Sequence, residues 1–431
     1  MKKLGLVGAI FLIVSSLAGS GIIALPQQLA SVGSITLLSF ILVTIGALFL
    51  TLVYVKAGSK FEDPSPTALA AYVNPLMGAK SGFFYCYGNL ISNVSILIAG
   101  LGYVSTFVPA LNNSFVLGIV VIILIWLFVF LSMRGAGMIT KVVTITVILL
   151  LISVIITSIG GWFHFSPEIF HSNWNVSGKP FGGAIMSGFA VLLFSYVGVE
   201  SVANNNEQIE NPRKIVPIAT IVGFLIVAVI YISSTTVIEG MFHAGKIQAV
   251  PASFAMTMAY MFHSTLIGQI VSLIMAVACI ASFLVWGLSS ASAAKTSADK
   301  GYLPKAYSFT NKFGINSKGL VINGVIMTVV EIILMLLGSN VATAFNLTVT
   351  ISVLLLLFPY FWSGIALLKK EKEEGKIHLG TFIVVLISSI FILSAFSSAT
   401  LFQLYLVVGL FLAVLGTYSV VLYKDKDNLL K

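Results

Sequence analysis

Residues 15–26 read SSLAGSGIIALP, inside a stretch that otherwise has the length and composition of a first membrane-spanning helix. Two glycines flank a serine, and a proline follows five residues after the second glycine. A bilayer span gains from unbroken helix, because every backbone N–H and C=O must find a partner where there is no water. A weakened helix at this depth is a potential binding site. Where the coil opens, a ligand can take the hydrogen bonds that the helix gives up.

The rest of the chain supports the membrane setting. Of 431 residues 58% are apolar and 9% charged, against about one charged residue in four for a soluble domain. Between Lys3 and Lys56 lie 52 residues without a charge, and between Lys80 and Arg134 another 53. Each run has room for two helices of about 20 residues and a turn. Apolar runs bounded by turn residues and charges predict twelve spans, at 4–29, 34–56, 79–110, 113–133, 138–161, 182–205, 215–240, 264–294, 319–339, 342–368, 377–397 and 400–423. The proline-bearing segment 247–262 is too short to cross and reads as interfacial or re-entrant.

An even number of spans puts both ends on one side. If that side is the cytoplasm, the termini and even-numbered loops hold 21 of the 23 Lys and Arg residues, leaving Lys179 and Lys246 opposite. The net charge of +9 therefore reads as an orientation signal and not as a nucleic-acid surface. KKEKEEGK at 369–376 reads as a short solvated turn. No P-loop, GxSxG, HExxH or CxxC occurs, and neither the two cysteines nor the five histidines have ligand spacing. An enzyme, a cofactor and a bound metal are not expected.

The sixth span carries a second interruption, LLFSYVGVESVA at 192–203, where a glycine is followed closely by small polar residues and by the carboxylate Glu200. Interrupted helices five spans apart are the mark of an inverted five-plus-five repeat. A half-helix starting after Gly19-Ser20-Gly21 offers free amides and a positive dipole end to a carboxylate, and a break near Val197-Gly198 offers carbonyls to an ammonium. Together they make a receptor for an α-amino acid head group. The alternative is that Gly19 and Gly21 only permit close helix packing.

Tyr85, Asn89, Asn93 and Ile96 share one face of the third span, which equips it for side-chain recognition or for interhelical hydrogen bonding. Trp286 and Phe194 can stack on a planar or cationic end, or simply pack. Glu200 and Glu331 are acids within spans; Glu200, beside a break, suits a proton-responsive gate, while Glu331 has no such context.

GSGIIALP at 19–26, DPSP at 63–66, WNVSG at 174–178, FSYVGVES at 194–201, NPRKIVPIAT at 211–220 and ADKGYLPK at 298–305 together resemble the basic amino acid/polyamine antiporters of the APC superfamily. That resemblance implies an all-α integral membrane protein with twelve transmembrane helices in the LeuT-type fold, often a homodimer, in a bacterial inner membrane. The first repeat is expected over 1–161, the second over 182–368, and two further helices over 377–423. Its function would be exchange of an amino acid for its decarboxylation product, with proton-coupled symport as the alternative for the same fold and a non-transporting sensor as a distant one. Carried over by residue, the carboxylate would meet the amides of Ser20 and Gly21, and the amino group the carbonyls of Leu17, Phe194 and Val197. The side chain would extend toward Gly88, Asn89, Asn93, Ile96 and Trp286, with Thr350 nearby and with Tyr85 and Glu200 closing the site. Arginine-carrying members have a tryptophan at the position of Phe194 and an Ala-Cys pair in place of Gly88-Asn89, so the departures fall in the side-chain pocket.

Overall fold

A computed structural model describes residues 4–17, 19–133, 137–198, 209–301, 303–311 and 315–424. The first predicted span is two helices, α1 (Leu6–Leu17) and α2 (Ser20–Leu29), with Gly19 extended between them at φ −146° and ψ −150°. It is followed by α3 (Thr36–Lys60), the short α4 (Pro66–Val73), α5 (Pro75–Val104), α6 (Ser114–Ser132) and α7 (Gly137–Gly160). Caps set several starts: Asn74 accepts from Leu76 N at 2.8 Å with Pro75 in the first position of α5, and Asn113 accepts from Phe115 N at 2.9 Å at the start of α6.

After the short α8 (Pro167–Ser172), the sixth predicted span is represented by α9 (Phe181–Ser187) and α10 (Phe189–Phe194). Glu200 lies outside the described residues. The long α11 (Pro212–Met241) leads to α12 (Ala244–Ala249) and α13 (Ser253–Met261), two short pieces in the segment read as interfacial. The chain ends with α14 (Thr265–Asp299), α15 (Ser317–Leu336), α16 (Val341–Glu373), α17 (Leu379–Ala395) and α18 (Leu401–Lys424). No β-strand forms among the described residues; one isolated bridge pairs Leu4 with Ile209. Among the described residues eight helices are long and apolar enough to cross a bilayer, and four shorter apolar helices or helix pairs accompany them.

The outward faces show what solvent the fold expects. On α6, Leu117, Val121, Ile125 and Phe128 are buried, while Phe115, Ile119, Ile123 and Leu127 on the other side are exposed. An outer stripe that apolar would aggregate in water and is stable against lipid. By contrast α5 is buried almost all round, packed between α14 and α16, as a helix at the centre of a bundle is.

The lysine-rich ends of the bundle are laced together. Lys60 at the end of α3 pairs with Glu374 and stands 3.7 Å from Glu371. Lys300 reaches Asp63 at 2.6 Å, Tyr72 bonds Glu373, and Lys369 Nζ donates to the Tyr72 carbonyl at 2.9 Å. Burial alone would raise the Asp63 pKa, but its bonds to Lys300 and Ser65 outweigh that and hold it below the usual carboxylate range. The run 369–376 is thus not merely a solvated turn. Helix α16 continues to Glu373, and the turn comes at Gly375, whose φ of +98° suits glycine. Glu371 is only 2% exposed, because it accepts from His378 N at 2.9 Å and Thr381 Oγ1 at 2.8 Å, bonds that an alternating charge pattern cannot reveal.

These two neighbouring acids should behave differently. Replacing Glu371 by Ala strands buried donors and is expected to cost about 2–4 kcal/mol of stability. Replacing the exposed Glu374 by Ala should cost less than about 1 kcal/mol. Thermal unfolding of the two variants in detergent measures the contrast; equal shifts would contradict the structural role of Glu371.

Candidate functional site

The site begins with a close approach. A Cβ at Gly21 would lie 2.9 Å from the Cα of Ser195, so the first turn of α2 touches the backbone just beyond α10. No side chain other than hydrogen fits there without displacing main chain. The N-terminus of α2 has no side-chain cap, so its first amides are not claimed by a capping side chain. Opposite them the chain leaves α10 in tight turns, Ser195 N to Leu192 O at 3.1 Å, Tyr196 N to Leu193 O at 3.0 Å and Val197 N to Phe194 O at 3.1 Å, then reaches Gly198 at φ +113°. The two interruptions predicted from sequence therefore face each other.

Three tyrosines hold the broken segments in place. Tyr231 of α11 donates to the Leu17 carbonyl at 2.7 Å, at the residue where α1 stops. Tyr103 of α5 donates to the Ile23 carbonyl of α2 at 3.2 Å. Tyr196 hydrogen-bonds Thr44 of α3 through its hydroxyl at 2.7 Å and lies against the Tyr231 ring, with centroids 5.9 Å apart. Tyr231 and Tyr103 spend their hydroxyls on the broken segments, while Tyr196, itself beyond α10, anchors its segment to α3.

Between the breaks lies a narrow cavity of about 30 Å³, lined by Leu17, Gly19, Gly21, Phe194 and Val197 at one end and by Asn89, Ser92, Ile96, Ser282 and Trp286 toward the other. It has room for about one or two waters. An amino acid enters only if the walls separate. Asn89 Nδ2 donates to the Tyr85 carbonyl at 2.7 Å, which leaves its Oδ1 as an acceptor toward the cavity. The far end thus offers an amide oxygen, two serine hydroxyls and an indole, and no ionised group.

The predicted residues divide clearly. Leu17, Gly21, Asn89, Ile96, Phe194, Val197 and Trp286 line the cavity. Ser20 contributes backbone as the first residue of α2. Asn93 is 1% exposed and neither polar atom of its amide has a partner among the described residues. A Cβ at Gly88 would meet Leu356 at 2.9 Å and the Ser352 carbonyl at 3.2 Å, so Gly88 faces α16 and not the cavity. Thr350 is buried within α16 and does not line it, and Tyr85 is half-buried one turn from Asn89. The carbonyls of Leu17 and Phe194 already accept one bond each, from Tyr231 and Val197, and keep a second lone pair.

Gly19, Ser92 and Ser282 line the cavity without having been predicted. Ser282 precedes Trp286 by one helical turn, a spacing that could have signalled it. A third buried acid was also overlooked: Glu239 of α11 accepts from Thr36 Oγ1 at 3.2 Å. Glu331 is 2% exposed, with Oε2 unpartnered. Among the described residues no three His, Cys, Asp or Glu side chains converge as metal ligands do.

Comparison with known proteins adds the following. A family model described as amino acid permease matches residues 4–423. The cadaverine/lysine antiporter of Escherichia coli strain K12 is 33% identical over 411 residues, covering 94% of this chain and 91% of that protein. The putrescine transporter PotE of the same strain is 32% identical over 375 residues, 86% and 84% of the two chains. PotE of Haemophilus influenzae is 31% identical over 408 residues, 92% of each.

The contact at Gly21 makes a direct prediction. Gly21→Ala pushes a methyl into the Ser195 backbone and should cost about 1–3 kcal/mol as overpacking. Amino acid binding to the purified variant should drop at least tenfold while Gly58→Ala, which meets nothing within 4 Å, leaves it unchanged. Equal binding by both variants would remove the contact from the site.

Proposed function

The chain belongs to the amino acid permease family, and from that premise we propose that it exchanges an amino acid for a related amine by alternating access, with lysine and cadaverine the first pair to test. The observation that carries the reading is the meeting of two helix breaks at Gly21 and Ser195. Uncapped amides on one side and carbonyls on the other fit the two charges of an α-amino acid without any charged side chain.

In the proposed arrangement the α-carboxylate takes the amides of Ser20 and Gly21. The α-ammonium takes the Val197 carbonyl and the second lone pairs of Leu17 and Phe194. The side chain runs between Asn89, Ser92 and Ile96 on α5 and Ser282 and Trp286 on α14. A cationic end is held by the Asn89 oxygen and the indole face, with Asn93 turning its unpartnered amide toward it as the walls part. Gly88 and Thr350 shape the α16 side, and Tyr85 and Glu200 close the site.

The twelve-helix reading assigns α1/α2 as the first span, α9/α10 and its continuation as the sixth, and α12 and α13 as non-spanning. The repeats are 1–161 and 182–368, followed by the helices of 377–423. Both chain ends and the lysine-laced face are cytoplasmic, as the charge asymmetry supports, so the lacing of Lys60, Asp63, Tyr72 and Lys300 is the bolt that opens when the site turns inward. Exchange requires that this opening be easy only with the site filled, which takes a few kcal/mol of differential affinity for the occluded state.

In proteoliposomes, labelled lysine uptake should require cadaverine inside; equal uptake into empty vesicles would overturn exchange in favour of symport. Trp286→Ala and Asn93→Ala should each weaken lysine binding about tenfold, the scale of a desolvated cation–π contact for the first and of a charge-assisted hydrogen bond for the second. If Asn93 only packs, removing its unsatisfied amide should instead raise stability and leave binding alone. For Glu200→Gln the pH profile of exchange should flatten, and an unaltered profile would take away its gating role.

A further inference from the structure

A second, larger cavity of about 700 Å³ opens at the end of the bundle opposite the lysines, between the end of α2, the α12 segment, the start of α16 and the α17–α18 connection. Six amides line it, Gln27, Gln28, Gln248, Asn340, Asn346 and Gln403, and no charged residue does. Its placement is on the axis of the central site. Gln27 and Gln28 stand six and seven residues beyond Gly21 on α2, about 9–10 Å along the helix. Between the two cavities Phe345 of α16 sits edge-on to Phe194, ring centroids 6.1 Å apart.

The hydrogen bonds orient these amides. Gln27 Nε2 donates to the Gln248 carbonyl at 3.1 Å, Gln248 Nε2 to the Ala30 carbonyl at 3.0 Å, and Gln28 Nε2 to the Ala342 carbonyl at 3.1 Å. Each Oε1 is left without a partner among the described residues, although Gln27 is itself only 8% exposed. On the α16 wall the pattern inverts. Asn340 Oδ1 accepts from Thr343 N at 2.9 Å and Asn346 Oδ1 from Gln403 Nε2 at 3.4 Å, which leaves the Nδ2 groups as donors beside the positive end of α16.

We propose that this vestibule is an outer binding site for the head group of a zwitterionic amino acid, distinct from the central one. An ammonium only donates hydrogen bonds and a carboxylate only accepts them. The glutamine oxygens of α2 and the α12 segment take the first, and the asparagine amides and helix end of α16 take the second. A diamine can satisfy only the glutamine wall. The vestibule therefore holds the amino acid and releases the amine, which biases exchange at this face toward amino acid entry. Neutral walls keep the hold weak enough for the substrate to move on.

The inference rests on the transport reading above, and a sided transport assay separates the two. In proteoliposomes of uniform orientation, lysine/cadaverine exchange by the full-length protein is measured from each face. Gln28→Leu with Gln248→Leu should raise the lysine KM at the vestibule face about tenfold, the loss of a charge-assisted hydrogen bond, with the KM at the other face unchanged. Asn346→Asp keeps the oxygen that Gln403 uses and so preserves the fold contact. It should raise the lysine KM and lower the cadaverine KM at the vestibule face, since the new carboxylate repels the α-carboxylate seated on this wall and attracts a diamine's ammonium. Unchanged values, or equal shifts at both faces, overturn the vestibule site while leaving exchange standing. Absence of exchange by the unaltered protein overturns the transport reading, and this one with it.

Discussion

Backbone in a bilayer must be hydrogen-bonded, and this structure turns on a junction where two helices are interrupted inside the bundle. At Gly21 and Ser195 two interrupted helices meet so closely that a Cβ on Gly21 would lie 2.9 Å from the Ser195 Cα, and the α2 end carries no side-chain cap. In hydrocarbon such a junction costs several kcal/mol per unpaired group. It persists because it lies inside the bundle, where protein and ligand can share the bonds.

The surroundings follow from that constraint. Tyr231 and Tyr103 spend their hydroxyls on the broken segments, Tyr196 ties its own segment to α3, and their rings fill the bundle core. Helix α5 is buried on nearly every side, packed between α14 and α16, and its polar residues Asn89 and Ser92 line the cavity beside the junction. The charge network at Lys60, Asp63 and Lys300 ties helix ends far from the junction, so the polar work divides between a neutral centre and a charged end. A binding centre without fixed charge can accept substrates of different charge in turn, as exchange of an amino acid for an amine requires.

Much of this was legible in the sequence. The breaks in α1/α2 and after α10 were announced by glycine next to small polar residues, and the helix ends by Asn, Pro and Lys. Seven of the proposed contacts line the cavity because helical spacing and the family motifs locate faces well. The residues that do not line the cavity differ from those that do by rotation about the helix axis. At 100° per residue Ser92 and Asn93 flank the Asn89–Ile96 face at equal offsets of about 50°, so spacing does not choose between the hydroxyl that lines the gap and the amide that does not. Gly88 points to α16 because its neighbour there is a matter of tertiary packing. The partners of Tyr231, Glu371 and Glu239 lie tens to hundreds of residues away or across a turn, and no local pattern encodes them. The amide-lined vestibule is of the same kind, assembled from four separated segments.

The claim on which the rest depends is that the amides opening α2 hold a carboxylate. A density map of the purified protein with bound lysine tests it directly. The account predicts the α-carboxylate within ~3 Å of the Ser20 and Gly21 nitrogens, the α-ammonium at the Val197 carbonyl and the side chain directed at Trp286. A head group seated instead beside Asn89 and Trp286, with the side chain toward Gly21, would contradict it.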